Sequence, residues 1–150
     1  MSLIARIRAQ LERGAEPAGD ERRAEAMRRA TAVLLVEAIR ADHDATPAER
    51  AALVELLQRH FGMTPADADA LVAEAESAAD RSVSLYDFTR VLNDSLDAAE
   101  KLGVVELLWR ASLADGHLDR HEDHLVGKLG ELLYVPRSDV LRLRQRVRGG

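Results

Sequence analysis

Cysteine is missing from all 150 residues, which excludes a disulfide scaffold, a thiolate zinc site and a cysteine nucleophile. Aromatic residues are nearly as scarce, with one tryptophan, two tyrosines and two phenylalanines. No aromatic platform for stacking bases lies beside the basic clusters, and a net charge of -5 argues against sequence-independent binding to phosphate backbones. No nucleic-acid partner is expected. Arg22 with Arg23, Arg28 with Arg29, and Arg142, Arg144, Arg146 and Arg148 read instead as solvated helix faces. Nothing approaches the roughly 20 uninterrupted apolar residues of a membrane span. Met1 to Gln10 carries Arg6 and Arg8 inside its short apolar run, so neither a signal peptide nor an anchor is expected. A cytoplasmic location follows as the default.

Catalytic signatures are also lacking. The chain has no glycine-rich phosphate loop, no nucleophile elbow and no His-Glu-x-x-His helix. His43 between Asp42 and Asp44 is the nearest approach to a base with an orienting acid, and adjacency in sequence does not establish geometry. An enzyme is not expected, and a metal-dependent hydrolase is the alternative held against that expectation.

What is present favours helices. Alanine, leucine, arginine and glutamate dominate, β-branched residues are sparse, and no alternating run marks a strand. At 47% hydrophobic content the chain suits a single domain, residues 1–150, with a core large enough to fold unaided. Helix starts recur. Thr46-Pro47-Ala48-Glu49 combines a capping threonine, proline at the first helical position and a glutamate three residues on. Thr64-Pro65-Ala66-Asp67 nearly repeats it, and Ser84, Asp97 and Asp119 each precede an acid at the third helical position.

Helices are expected at about 2 to 13, 21 to 41, 47 to 60, 65 to 79, 85 to 94, 98 to 114, 120 to 133 and 137 to 147. The result is an all-α, compact bundle of seven or eight helices. Val33 through Ile39 and Val104 through Leu113 are apolar on nearly every face and should lie at its centre. Arg13 to Asp20 holds Gly14, Pro17 and Gly19 and reads as a flexible connection. The helix before it, with Leu3, Ile4, Ile7 and Leu11 at helical spacing, could dock on this chain, on a second copy as a homodimer, or on another protein.

The chain also repeats itself. Asp42 and Asp115 are 73 residues apart, as are Glu49 and Glu122, Leu34 and Leu107, Leu35 and Leu108, and Ala38 and Ala111. Beyond the loops the register slips to 72, matching Leu53, Val54 and Leu57 with Leu125, Val126 and Leu129, and Leu71 with Leu143. The repeat halves span about 25 to 80 and 98 to 147.

Ala114-Asp115-Gly116-His117-Leu118-Asp119-Arg120-His121-Glu122, preceded by Leu107-Leu108-Trp109-Arg110, resembles the second half of a TerB-like tellurite-resistance domain. Leu35-Val36-Glu37-Ala38-Ile39-Arg40-Ala41-Asp42, with Glu49-Arg50-Ala51-Ala52-Leu53, resembles the first, and Tyr86-Asp87-Phe88-Thr89-Arg90 lies between them. The resemblance covers about residues 25 to 145 and implies a small bacterial cytoplasmic protein with a metal site of acidic residues, linked by name to tellurite and other stresses. In the first loop His43 stands for the glycine, Ala45 for the aliphatic residue and Thr46 for the second aspartate.

Two readings of these acids compete. In the first, Asp115, Asp119 and Glu122 join Asp42 and Glu49 around one divalent cation, with Asp44 and Glu37 as weaker additions. Oxygen ligands suit calcium, magnesium or manganese. Zinc ranks behind them, although His117, His121 and His124 lie nearby. A free-standing EF-hand is excluded, because its first two ligand positions would fall on Ala111 and Leu113. In the second reading the acids are helix caps, each contributing about 1 kcal/mol without any ion, and the bundle is an interaction module. Asp42 and Asp115 resist that explanation, since an acid at a helix C-terminus opposes the helix dipole.

Overall fold

Seven α-helices and no strand form among the residues that the computed structural model describes, namely Leu3, 17–41, 44–81, 84–114 and 120–149, with backbone only at 17 and 18. They are α1 (Pro17–Ile39), α2 (Pro47–Phe61), α3 (Pro65–Asp80), α4 (Leu85–Ser95), α5 (Ala98–Ser112), α6 (Arg120–Leu132) and α7 (Arg137–Gly149). The fold class is all-α, as the composition implies. The helix expected at 2 to 13 lies, Leu3 apart, outside the described residues.

One boundary needs correction. The connection expected to run flexibly to Asp20 is helical from Pro17 onward. Proline costs nothing there, because a first-turn N–H has no intrahelical acceptor to lose. The starts read from Thr46, Thr64, Ser84 and Asp97 all occur, while the fifth signal, Asp119, lies outside the described residues and α6 is helical from Arg120 onward. Thr46 and Glu49 form a reciprocal capping box, as do Asp97 and Glu100, while Thr64 accepts only from the Asp67 amide. Ser84 makes no side-chain cap.

Burial explains the arrangement. From Ala30 to Ile39 every residue of α1 except Glu37 is buried, and α1 touches α2, α3, α4, α5 and α6. In α5, Val104, Val105, Leu107, Leu108, Trp109, Ala111 and Ser112 are buried, and this helix touches α1, α2, α6 and α7. These two helices and the faces laid on them form one apolar cluster. Several polar groups in and around it find partners within the bundle. Thr31 Oγ1 donates to Met27 O at 2.9 Å, and Trp109 Nε1 donates across helices to Val140 O at 2.9 Å. Asn93 Nδ2 donates to Leu132 O at 3.0 Å, tying α4 to the C-terminal end of α6.

The arginine runs are not simply solvated. Arg29 pairs with Glu74 at 2.7 Å, Arg50 with Asp69 at 2.6 Å and Glu76 at 3.0 Å, and Arg144 with Asp123 at 2.9 Å. Each of these pairs links two helices. No described helix is long and apolar enough to cross a membrane.

Helices α2 and α6 end alike. Gly62 after α2 has φ 64°, and Tyr134 after α6 has φ 59°. Met63 N–H donates to Gln58 O and Val135 N–H to Gly130 O, the long bond that closes a left-handed helix end. Glycine enters this conformation freely, whereas a tyrosine is strained in it.

Two glycines of α6 give opposite expectations. A Cβ on Gly130 would lie 2.7 Å from Val140 Cγ2, whereas a Cβ on Gly127 would meet nothing within 4 Å. Gly130→Ala should therefore destabilise by about 1–3 kcal/mol through overpacking, and Gly127→Ala should stabilise by roughly 0.5–1 kcal/mol through backbone entropy. Thermal unfolding of the two variants checks both signs, and an unchanged melting temperature in Gly130→Ala would contradict the close approach of α6 to α7.

Candidate functional site

The acids proposed as ligands divide by where they fall. Asp42, Asp115 and Asp119 lie outside the described residues, together with His43 and residues 116–118. Glu37, Asp44, Glu49 and Glu122 are described.

Glu49 and Glu122 hold the same place in their helices. Each is the third residue, of α2 and α6 respectively, and each is buried, with 9% and 5% of its surface exposed. A carboxylate is favoured there by the unbonded amides and positive end of the helix dipole. The sequence then returns to the core at helical spacing, through Leu53 and Leu57 after Glu49 and through Val126 and Gly130 after Glu122. That periodicity holds both carboxylates against the bundle. For Glu49 the local partner is plain: Oε1 accepts the Thr46 amide at 2.9 Å, and Thr46 Oγ1 accepts the Glu49 amide at 3.1 Å.

Glu37 and Asp44 sit in a different electrostatic setting. Burial pushes the Glu37 carboxyl above its ordinary pKa, Arg40 opposes that shift and Asp80 adds to it. Arg40 holds Asp80 at 2.7 Å and comes within 3.9 Å of the exposed Asp44. A guanidinium thus already occupies the middle of this group. Among the described residues, no set of three or more His, Asp or Glu side chains lies close enough to hold a metal ion. Glu37, Asp44, Glu49 and Glu122 are therefore not gathered into one cluster by themselves.

One relevant oxygen was missed in the sequence. Ser112 is buried at the end of α5, and its Oγ has no hydrogen-bond partner. It stands three residues before Asp115. The available signal was a lone hydroxyl among the apolar positions of the buried face of α5, which normally bonds back to the preceding turn. Arg40 and Asp80 were also missed as partners, since 40 residues separate them.

Among the described residues no histidine joins two or more of these acids in a group that could hold a metal ion. His124 lies on α6 beside a cleft, and His60 is at the far end of α2 with its ring edge-on to Phe61 at 4.8 Å. His60 keeps one exposed side, yet partial desolvation lowers its pKa, with Glu106 pulling it back upward.

Two apolar central helices, each leading toward an acidic segment and a buried glutamate, define a helical bundle of the kind that the sequence resemblance implies. The family model for tellurite resistance protein TerB matches residues 28–145, and the chain belongs to that family. No curated protein and no solved structure matches it.

The His60 shift has a definite sign. Its folded pKa lies below the ordinary value of 6.5, so the unfolded chain binds the proton more readily. The neutral ring contributes stability above that ordinary value, and the contribution is lost as pH falls through the folded pKa. The melting temperature of the native chain should therefore fall relative to His60→Gln between about pH 7.5 and pH 5. Parallel curves for the two proteins would remove His60 as the cause.

Proposed function

We propose that this TerB-family protein is a non-catalytic binder of a divalent cation that serves a regulatory or scaffolding role in a tellurite-resistance-related stress response in the bacterial cytoplasm. Asp115, Asp119 and Glu122 are the principal ligands, Asp42 and Glu49 add donors from the first loop, and Asp44 and Glu37 are subsidiary. The observation that carries the reading is the matched burial of Glu49 and Glu122 at the third position of helices that follow the two acidic loops. The buried Ser112 oxygen, three residues before Asp115 in the sequence, suits the same chemistry, since a hard cation accepts hydroxyl and carboxylate oxygens alike.

Helix contacts favour a shared site. α1 touches α6 and α2 touches α5, reciprocal pairings of the kind that a pseudo-twofold axis relating the halves would produce. A bound ion would neutralise the carboxylates and join the two loops. Calcium, magnesium and manganese fit an all-oxygen set better than zinc. Arg40, held by Asp80, already neutralises charge near Glu37 and Asp44, so these two rank last.

Calorimetric titration with each of the four ions, alongside Asp115→Asn, Glu122→Gln and Glu49→Gln, tests the proposal. The native protein should give a saturable heat and a higher melting temperature with at least one ion. Asp115→Asn should abolish both, and Glu122→Gln should weaken affinity by roughly tenfold or more, equivalent to about 1.4 kcal/mol. No heat and no thermal shift with any ion would overturn it.

The capping box at Glu49 favours a second reading for the first loop, in which its acids serve as helix caps within an interaction module. That reading expects Glu49→Ala, which removes the acceptor of the Thr46 amide, to lower stability by about 1 kcal/mol, and Glu49→Gln, which keeps it, to leave stability and ion affinity nearly unchanged. It also expects capture of a protein partner to persist in chelator.

A further inference from the structure

A cleft of about 630 Å³ opens beside Trp109 where α5, α6 and α7 meet, a volume within the usual range for small-ligand sites. Its walls carry four cationic side chains, Arg120, Lys128, Arg137 and Arg144, against two acids, Asp123 and Glu131. The chain as a whole has a net charge of -5, so this local excess of positive charge runs against its average. Only one of the acids is engaged: Asp123 Oδ1 accepts from Arg144 Nη1 at 2.9 Å. Arg120, Lys128 and Arg137 form no ion pair among the described residues, and neither does Glu131.

The position of two of these cations sharpens the point. Arg137 is the first residue of α7, and Arg120 is the first described residue of α6. A cation at a helix N-terminus faces the positive end of the dipole and acts against stability, while an anion there is favoured by both the dipole and the free amides. Asp139, in the first turn of α7, pairs with Arg142 rather than Arg137. Arg144 adds an unsatisfied donor, because its Nε is buried without a hydrogen-bond partner while its guanidinium lies 5.9 Å from the Trp109 ring. Val135, Val140 and Leu141 give the cleft an apolar side.

We infer that this cleft binds a small molecule carrying a phosphate or similar oxyanion group on an apolar or aromatic body. Lys128 and Arg137, toward the C-terminal end of α6 and the start of α7, hold the anionic group, since guanidinium forks and ammonium donors match its oxygens. The body rests against the apolar side near Trp109. The site is separate from the acidic loops in its chemistry, and its occupation does not require a cation.

Trp109 is the only tryptophan and lines this cleft, so its emission comes from a single site that the cleft borders. The full chain, in chelator and at constant ionic strength, is titrated with phenyl phosphate, inorganic phosphate and phenol. Trp109 fluorescence and the amide shifts of Gly127 and Arg137 are followed together. Phenyl phosphate should give a saturable change in the shifts and in emission, inorganic phosphate a weaker one, and phenol none. Lys128→Gln with Arg137→Gln, at two exposed positions, should weaken phenyl phosphate binding by about tenfold or more without lowering the melting temperature. Arg137→Lys should retain part of the affinity. No saturable response to phenyl phosphate in either readout, or equal affinity in the double variant, would overturn the inference. A response matched by sodium chloride would do the same, and a response to phenol equal to that of phenyl phosphate would remove the anionic requirement.

Discussion

Helix α1 is enclosed on almost every side over ten residues, from Ala30 to Ile39, and only Glu37 among them reaches partial exposure. A helix buried in this way needs apolar partners all round it, and α2, α3, α4, α5 and α6 supply them. Helix α5 is the second enclosed element and packs directly on α1. Close packing leaves little room for adjustment between them, so the helices laid around the pair have their positions dictated by these two surfaces. Both enclosed helices end where an acidic segment begins. The candidate ion site is therefore anchored by the most tightly held part of the molecule, while its outermost acids follow helix ends.

Much of this order was legible because it is local. The threonine-proline starts at Thr46 and Thr64 and the aspartate start at Asp97 need only a few neighbouring residues, and each forms as read. The apolar runs through Leu34-Leu35 and Leu107-Leu108 could belong only to buried helices. Pro17 misled because proline and glycine together resemble a loop, although proline is at home in a first helical turn. Ser84 marks its helix start correctly, although its side chain forms no capping hydrogen bond.

The site was less legible because its chemistry is long-range. Arg40 meets Asp80 and Arg144 meets Asp123 through packing that no local pattern encodes. The cleft beside Trp109 draws its cations from positions 120, 128, 137 and 144 on two helices, and in the sequence they look like ordinary basic residues. Tyr134 shows the same limit for the backbone: nothing near it marks a left-handed residue, since glycine is the usual occupant of that place. Family membership over residues 28–145 sets these particulars in a shared framework. Glu49 and Glu122 sit alike within it, and Glu49 Oε1 accepts the Thr46 amide.

The interhelical ion pairs carry a further consequence. In α2 the cation Arg50 holds acids of α3, whereas in α6 the acid Asp123 holds the cation Arg144 of α7. Arg50 and Asp123 are 73 residues apart, the same spacing as Glu49 and Glu122, so the polarity of the pairing is reversed between two helix pairs of similar build. Were α7 to dock on α2 during folding, Arg144 would confront Arg50; were α3 to dock on α6, Asp69 and Glu76 would confront Asp123. Like charges meeting in either exchange repel, while the native pairing attracts. The reversed polarity thereby acts as an electrostatic label that tells each helix which neighbour is its own.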